Sequence, residues 1–134
     1  MPPSLDRIDH IHVQVADRAR AERWYAEVLG LSRMAQLESW ATGGGPLTLA
    51  NASGTIHLAL FERAPEPSRS TVAFGVAAAE FVAWRRHLES RLGRPVEPVD
   101  HRLAWSMYFA DPDGNPYEIT TYEHAVTAGL LRTG

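Results

Sequence analysis

The feature of this sequence that most constrains its fold is a weak internal repeat. His10 and Thr71 are 61 positions apart, and so are His57 and Glu118. Each copy starts with a strand-like segment, passes through a helical stretch that ends in Leu-Gly, and closes with another strand-like segment. A repeated order of elements at equal spacing indicates two copies of one supersecondary unit. It also predicts that polar residues from distant parts of the chain occupy matching places.

The periodicity of apolar residues predicts the elements within each copy. Over residues 8–15, apolar side chains alternate with polar ones that include His10 and His12, which is typical of a strand with one buried face. Asp17 is a favoured N-cap for the amphipathic helix that follows, and Gly30 stands where a left-handed C-terminal cap belongs. Further strands are predicted near 33–40, 46–50, 55–61, 71–76, 95–99, 104–110 and 116–121, with a second helix that ends near Leu92 and an edge position for 95–99.

Each copy is therefore predicted to be a βαβββ unit, and the fold class to be α+β. The length of 134 residues suits one compact domain, or two small modules sharing a core. The expected organisation is a single domain with a first module at about 7–62, a Pro- and Ser-rich linker at 63–70, a second module at 71–122 and a tail at 123–134. The tail is expected to be either a short helix or loose chain.

Composition excludes several classes of function. A net charge of −3 gives no reason to expect nucleic acid or an anionic membrane as a partner. The absence of cysteine rules out disulfides, thiolate catalysis and cysteine-type zinc sites. No apolar run approaches membrane-spanning length, and the first residues lack the apolar stretch of a signal peptide. The expectation is a cytoplasmic protein with a small-molecule partner.

Strand parity places a set of polar side chains on the sheet faces opposite the helices, where they would line a shared concave cavity if the two sheets curl together. This set is His10, His12, Gln14, His57, Thr71, Ser106, Tyr108, Glu118 and Thr120. His10, His57 and Glu118 form a two-histidine, one-carboxylate group that suits Fe(II), Mn(II), Zn or Ni(II) and leaves open positions for substrate. The alternative is that these residues are solvated on the exposed face of an antiparallel sheet.

Three further residues are candidates for proton transfer. His12 could act as a base, support the metal ligands or replace one of them, or could be a partly exposed strand histidine. Tyr108 could hydrogen-bond to a bound oxygen, or could pack at the rim of the sheet. His101 could be an acid or base on a loop, although loop histidines are usually solvated. His87 and His124 are expected to be surface residues.

These segments resemble the vicinal oxygen chelate superfamily, which includes glyoxalase I, extradiol dioxygenases, fosfomycin-resistance transferases and bleomycin-binding proteins. The resemblance covers about residues 7–122. It is strongest over Asp9–Asp17, Trp24–Gly30 and Ser106–Glu118. It implies paired βαβββ modules that form an open barrel or cup with helices outside, a divalent metal and a homodimer.

The resemblance also assigns roles to individual positions. His10 and Glu118 match the family's first-strand and last-strand ligands, and His57 falls where glyoxalase I-type members place a glutamate. Thr71 stands where most metal-dependent members have a histidine, which departs from the standard dioxygenase or fosfomycin-transferase site. Tyr108 matches a tyrosine of the dioxygenases and fosfomycin transferases, and His101 resembles a histidine shortly before it in dioxygenase-like members.

Two functions remain open at this level. The first is a metal-dependent enzyme acting on a small substrate with vicinal oxygens, with dioxygenase-like chemistry favoured and a glyoxalase-like lyase or isomerase close behind. The second is a non-catalytic, bleomycin-resistance-type binding protein, which Thr71 favours. Such a protein would hold a planar or apolar ligand with aromatic residues such as Trp40 and Trp105.

Overall fold

The structure is a computed structural model that describes residues 1–64 and 66–133. The chain divides into two compact units, Met1–Glu66 and Pro67–Gly134. Pro65 of the predicted linker and Gly134 of the predicted tail lie outside the described residues. None of the helices in the described ranges is long and apolar enough to cross a membrane.

The first unit is one four-stranded mixed sheet with a helix between its first two strands. Its strand order is β1-β4-β3-β2, with β1 parallel to β4 and the other pairs antiparallel. The elements are β1 (Ile11–Val15), α1 (Arg18–Trp24) running into a π-helical turn (Tyr25–Leu29), β2 (Ser32–Arg33), a 3₁₀ segment (Ala35–Gly44), β3 (Leu47–Ala50) and β4 (His57–Glu62).

Local sequence signals account for the start and the end of the first helix. The Asp17 carboxylate accepts a hydrogen bond from the backbone N–H of Arg20, as an N-cap should. At the other end Gly30 has φ of 69°, the left-handed conformation that glycine adopts without steric cost. Both predicted caps are confirmed.

The predicted strand at 33–40 is wrong. Only Ser32–Arg33 pairs with β3, and Ala35–Gly44 is 3₁₀ helix with a break at its end. No side chain in this segment is buried, so no alternation of buried and exposed residues holds it in a sheet. The Arg18 guanidinium instead donates to the carbonyls of Ala41 and Gly45 and ties the end of the segment to α1.

The second unit repeats the topology of the first, with strand order β5-β8-β7-β6 and a parallel pair between its first and last strands. Its elements are β5 (Val72–Gly75), α2 (Ala78–Leu92), β6 (Val99–Asp100), β7 (Trp105–Ala110), β8 (Pro116–Thr121) and α3 (His124–Thr133). The α+β class and the paired βαβββ modules are confirmed. Of the two alternatives for the tail, the helix is confirmed, over His124–Thr133.

Register differs between the two units although topology does not. Ile11 pairs with Leu58, 47 positions on, whereas Val72 pairs with Tyr117, 45 positions on. The 61-residue spacing of the repeat is therefore not kept in the strand register. The Cα partner of Glu118 in β5 is Ala73 rather than Thr71. A shift of two residues keeps each side chain on its original face, so the predicted parity survives.

Each unit buries its own apolar core. Val13 and Val15 of β1 are buried while His12 and Gln14 on that strand are exposed. In the second unit, Phe81 and Leu88 of α2 have no exposed surface. The alternation of buried and exposed residues is confirmed in β1, whereas β3 is buried on both faces.

Candidate functional site

A histidine pair with a carboxylate stands at the start of the first sheet. Nδ1 of His10 lies 2.9 Å from a carboxylate oxygen of Asp9, and its Nε2 lies 3.1 Å from Nε2 of His12. The two rings stack with centroids 5.0 Å apart, which their positions two residues apart in extended chain allow. Donation from Nδ1 to the carboxylate leaves the lone pair of His10 on Nε2, which is the usual orientation of a metal-ligating imidazole.

The sequence predicts no role for Asp9. Its other carboxylate oxygen lies 3.1 Å from a guanidinium nitrogen of Arg7. The hydrogen bond from His10 holds the pKa of Asp9 below its ordinary value, and the positive charge of Arg7 acts in the same direction. The one sequence signal for this arrangement is the position of Asp9 directly before a candidate ligand.

His57 lies beside this pair on the neighbouring strand. His57 and His10 come directly before the first pair of the register, Ile11 with Leu58, so the register brings both to the same end of the strand pair. His12 pairs instead with Ala59, and its ring packs on Phe61 with centroids 4.7 Å apart. The structure thus groups three of the sequence-predicted residues, His10, His12 and His57, at one end of the parallel strand pair.

Glu118 lies in the second unit, within a row of hydroxyl groups. Its oxygen Oε2 accepts a hydrogen bond of 2.6 Å from Ser106, which is 1% exposed. The Ser106 hydroxyl also lies 3.1 Å from Oγ1 of Thr120. The two residues are paired across β7 and β8. Sequence parity placed these residues on one face, and the structure adds that Ser106 orients the carboxylate.

Tyr108 and His101 form a hydrogen-bonded pair next to Glu118. The phenol oxygen of Tyr108 lies 2.9 Å from Nε2 of His101, and Tyr108 is the Cα partner of Glu118 in the antiparallel ladder. Tyr108 is 43% exposed, so its side chain is not enclosed in the core. The two residues therefore meet in a geometry that allows proton exchange between phenol and imidazole.

The candidate ligands are distributed over both units, with His10 and His57 in the first and Glu118 in the second. Among the residues that the structure describes, no group of three or more histidine, aspartate or glutamate side chains is arranged so that it could hold a metal ion. The donor types nevertheless fit a divalent metal. An imidazole oriented by Asp9 and a carboxylate oriented by Ser106 are the nitrogen and oxygen donors that Fe(II), Mn(II) and Zn accept.

His124 is more than the surface residue predicted for the tail. Its Nε2 lies 2.7 Å from Oδ1 of Asp100, and its ring stacks on Trp105 with centroids 5.4 Å apart. The indole N–H of Trp105 donates to the backbone carbonyl of His124. Trp105, proposed as a ligand-holding aromatic, is thus engaged by α3, whereas Trp40 is 55% exposed.

Comparison with known proteins supports the fold and identifies the family. The family model for the glyoxalase/bleomycin resistance protein/dioxygenase superfamily matches residues 7–119. No curated protein matches the sequence significantly.

Several solved structures share the fold. An integron cassette protein from the mobile metagenome of the Halifax Harbour sewage outfall is 24% identical, with a TM-score of 0.73 over 87% of this chain and 99% of its own. A glyoxalase/dioxygenase from Nostoc punctiforme is 22% identical, with a TM-score of 0.66 over 91% and 98%. A mutant of the fosfomycin resistance protein FosX from Listeria monocytogenes, complexed with Mn(II) and 1S,2S-dihydroxypropylphosphonic acid, is 16% identical, with a TM-score of 0.68 over 98% and 100%. The chain belongs to the glyoxalase/bleomycin resistance protein/dioxygenase superfamily.

Proposed function

We propose that this protein is a divalent-metal-dependent enzyme that acts on a small substrate with two adjacent oxygen atoms. His10, His57 and Glu118 would hold the metal. The observation that carries the proposal is the contact between Asp9 and Nδ1 of His10, which leaves the lone pair of His10 on Nε2, the atom that lies 3.1 Å from Nε2 of His12. When bound, such a metal supplies a Lewis acid and a template for the two substrate oxygens.

The chain's own residues would prepare the carboxylate. Ser106 engages Oε2 of Glu118 through a 2.6 Å hydrogen bond, and its own burial keeps water from replacing that bond. Because a donated hydrogen bond fixes the plane of a carboxylate, less conformational freedom is lost when Glu118 binds a cation. Ser106 therefore supports the proposed ligand without contacting the substrate.

Tyr108 and His101 would move protons. The phenol can donate a hydrogen bond to a substrate oxygen or receive a proton from it, while His101, 2.9 Å away, supplies or takes up the balancing proton. His12, in contact with His10, would be an additional base or a replacement ligand. This phenol on a partly exposed side chain, together with two histidines and one carboxylate, favours dioxygenase-like chemistry over a glyoxalase-like lyase or isomerase.

The Listeria structure indicates which metal and which kind of ligand to test first. That protein was crystallised with Mn(II) and a dihydroxypropylphosphonic acid, which carries neighbouring hydroxyl groups. At 16% identity the likeness demonstrates the fold alone. It makes Mn(II) a suitable first metal for reconstitution.

Elemental analysis tests the proposal. Protein reconstituted with Mn(II), Fe(II), Zn or Ni(II) and then desalted should retain about one metal ion per chain. His10→Ala, His57→Ala and Glu118→Gln should each lose most of it, while His87→Ala, a histidine on α2, should retain it. A wild-type protein that binds none of the four metals would refute the proposal. Bound metal would justify turnover assays with catechols and with 2-oxoaldehyde–thiol adducts.

A second candidate, a non-catalytic binding protein of the bleomycin-resistance kind, is favoured by Thr71. This residue replaces the histidine of metal-dependent relatives and is not the Cα partner of Glu118. The exposed indole of Trp40 could stack on a planar ligand. Bleomycin should then quench tryptophan fluorescence in the metal-free protein and lose this effect in Trp40→Ala. Metal-dependent turnover would count against this function.

A further inference from the structure

The C-terminal helix α3 is anchored to the loop that carries His101. His124 opens the helix, and its Nε2 contacts the Asp100 carboxylate at 2.7 Å while its ring lies on Trp105. A second link runs in the reverse direction, from the indole N–H of Trp105 to the His124 carbonyl. These contacts fix the first residue of α3 against both ends of the β6–β7 connection.

The loop between β6 and β7 is held in a conformation that its residues do not favour. Arg102 has φ of 72°, in the left-handed region that non-glycine residues avoid. Its backbone N–H donates to Oδ1 of Asp100 at 2.7 Å, the same oxygen that contacts His124. The N–H of His101 donates to the carbonyl of Ala104 and closes the loop. An unfavourable turn of this kind persists when surrounding contacts restrain it.

We infer that His124 is a positioning residue for the His101–Tyr108 pair. His124 holds the Asp100 carboxylate, the carboxylate holds the Arg102 N–H, and the resulting turn presents Nε2 of His101 to the Tyr108 hydroxyl 2.9 Å away. The functional meaning of this inference rests on the proposed function, which assigns proton transfer to that pair.

The part of the chain responsible lies outside the family match. The family match ends at residue 119, and α3 spans His124–Thr133. The positioning contact is therefore contributed by a helix that follows the second βαβββ unit. Since no helix follows β4 in the described part of the first unit, the restraint acts on the second unit alone.

Two substitutions at His124 separate its hydrogen bond from its ring. His124→Phe keeps an aromatic ring to stack on Trp105 but has no donor for Asp100. His124→Gln loses the ring but places an amide N–H at the reach of the lost Nε2. His87→Phe, which replaces a histidine on α2 beside Trp84, is the matched control.

Nuclear magnetic resonance of the metal-free protein measures the effect of these substitutions on the loop. Long-range ¹H–¹⁵N spectra, with the His101 signals assigned through His101→Gln, report its tautomer, and amide exchange reports on Arg102. Wild type, His124→Gln and the control should hold His101 in one predominant tautomer. His124→Phe should show mixed tautomers and exchange the Arg102 amide about tenfold faster or more, as expected when a charge-assisted restraint is lost.

The inference is overturned if His124→Phe leaves both signals unchanged. It is also overturned if the phenylalanine and glutamine variants perturb them equally, or if the change extends to amides throughout α2, because His124 would then serve only general stability. None of these measurements uses a metal or a substrate. A failure of the proposed function would therefore leave the result on His124 intact.

Discussion

At the scale of single residues, the hydrogen bond from the Ser106 hydroxyl to Glu118 has the clearest expected effect on stability. It is buried and donates to a carboxylate, and hydrogen bonds to charged groups contribute about 1.5–3 kcal/mol. Ser106→Ala should therefore lower the free energy of unfolding by about 1.5–3 kcal/mol in urea titrations. Ser90→Ala, at an exposed position of α2, should change it by less than about 0.5 kcal/mol. Equal effects of the two substitutions would contradict a bond worth this much.

Arg102 offers a test of backbone conformation. Because its φ is 72°, a β-branched replacement should be strained while glycine should not. We expect Arg102→Val to cost about 1–2 kcal/mol of stability and Arg102→Gly to be nearly neutral. Thermal unfolding of the two variants measures the difference. Indistinguishable melting temperatures would show that the loop relaxes around valine.

Residue-level prediction from the sequence succeeded where strand periodicity decides the answer. The common face of His10 and His12, and that of Tyr108 and Glu118, followed from alternation alone. The contact between Asp100 and His124 could not be predicted, because it joins a loop to a tail for which the sequence allows both a helix and loose chain. The contact of Asp9 with His10 likewise depends on side-chain rotamers rather than on spacing.

At the scale of elements, α3 contains a buried hydroxyl group that can be replaced to raise stability. Thr127 is fully buried, and its hydroxyl has no hydrogen-bond partner among the residues described. Replacing a buried, unpaired hydroxyl with a methyl group removes a desolvation cost. Thr127→Val should raise the free energy of unfolding by about 1 kcal/mol. Thr127→Ala, which also leaves a small cavity, should not, and a destabilised valine variant would argue for an unseen partner of the hydroxyl.

Elements were predictable in proportion to their periodicity. The apolar stripe of α2 and the alternation of β1 predict those elements correctly. The strand predicted at 33–40 is wrong, and the 3₁₀ helix found there buries no side chain that a sequence pattern could reveal. Its true conformation depends on Arg18, which reaches it from α1 across more than twenty residues of sequence. Sequence windows do not contain such tertiary contacts.

At the scale of the whole molecule, stability should fall in acid. Hydrogen bonds from His10, His124 and Arg33 lower the pKa values of Asp9, Asp100 and Glu22 respectively below the ordinary 3.8 and 4.5. The unfolded chain therefore binds more protons than the folded one in acid. These carboxylates add stability that is complete above those ordinary values and is lost as pH falls through the lower folded values.

Urea midpoints measured from neutral pH downward test this expectation. The midpoint should begin to drop near pH 4.5 and continue below pH 3.8. A variant carrying Asp100→Asn and Glu22→Gln should lose stability less steeply over this range. Added salt should weaken the effect because the pairs are exposed. A slope identical in the wild type and the double variant would assign acid unfolding to other groups.

The homodimer implied by the family resemblance stays a prediction. Closed two-fold dimers are the commonest soluble oligomers, and sedimentation velocity distinguishes one from a monomer. A single species at the mass of one 14.8 kDa chain would refute it.

The parallel pairing of first and last strands has a consequence for the order in which the chain folds. β2, β3 and β4 are neighbours in sequence and can form from short-range contacts, whereas β1 must wait for a partner 47 residues ahead. Closing so long a loop is entropically costly, so such contacts tend to form late. Pulse-labelled hydrogen exchange should therefore protect the amides of β3 and β4 before those of β1. During synthesis the segment that begins with His10 stays unpaired until β4 exists, and the proposed metal ligand is thus among the last residues of the first unit to become ordered.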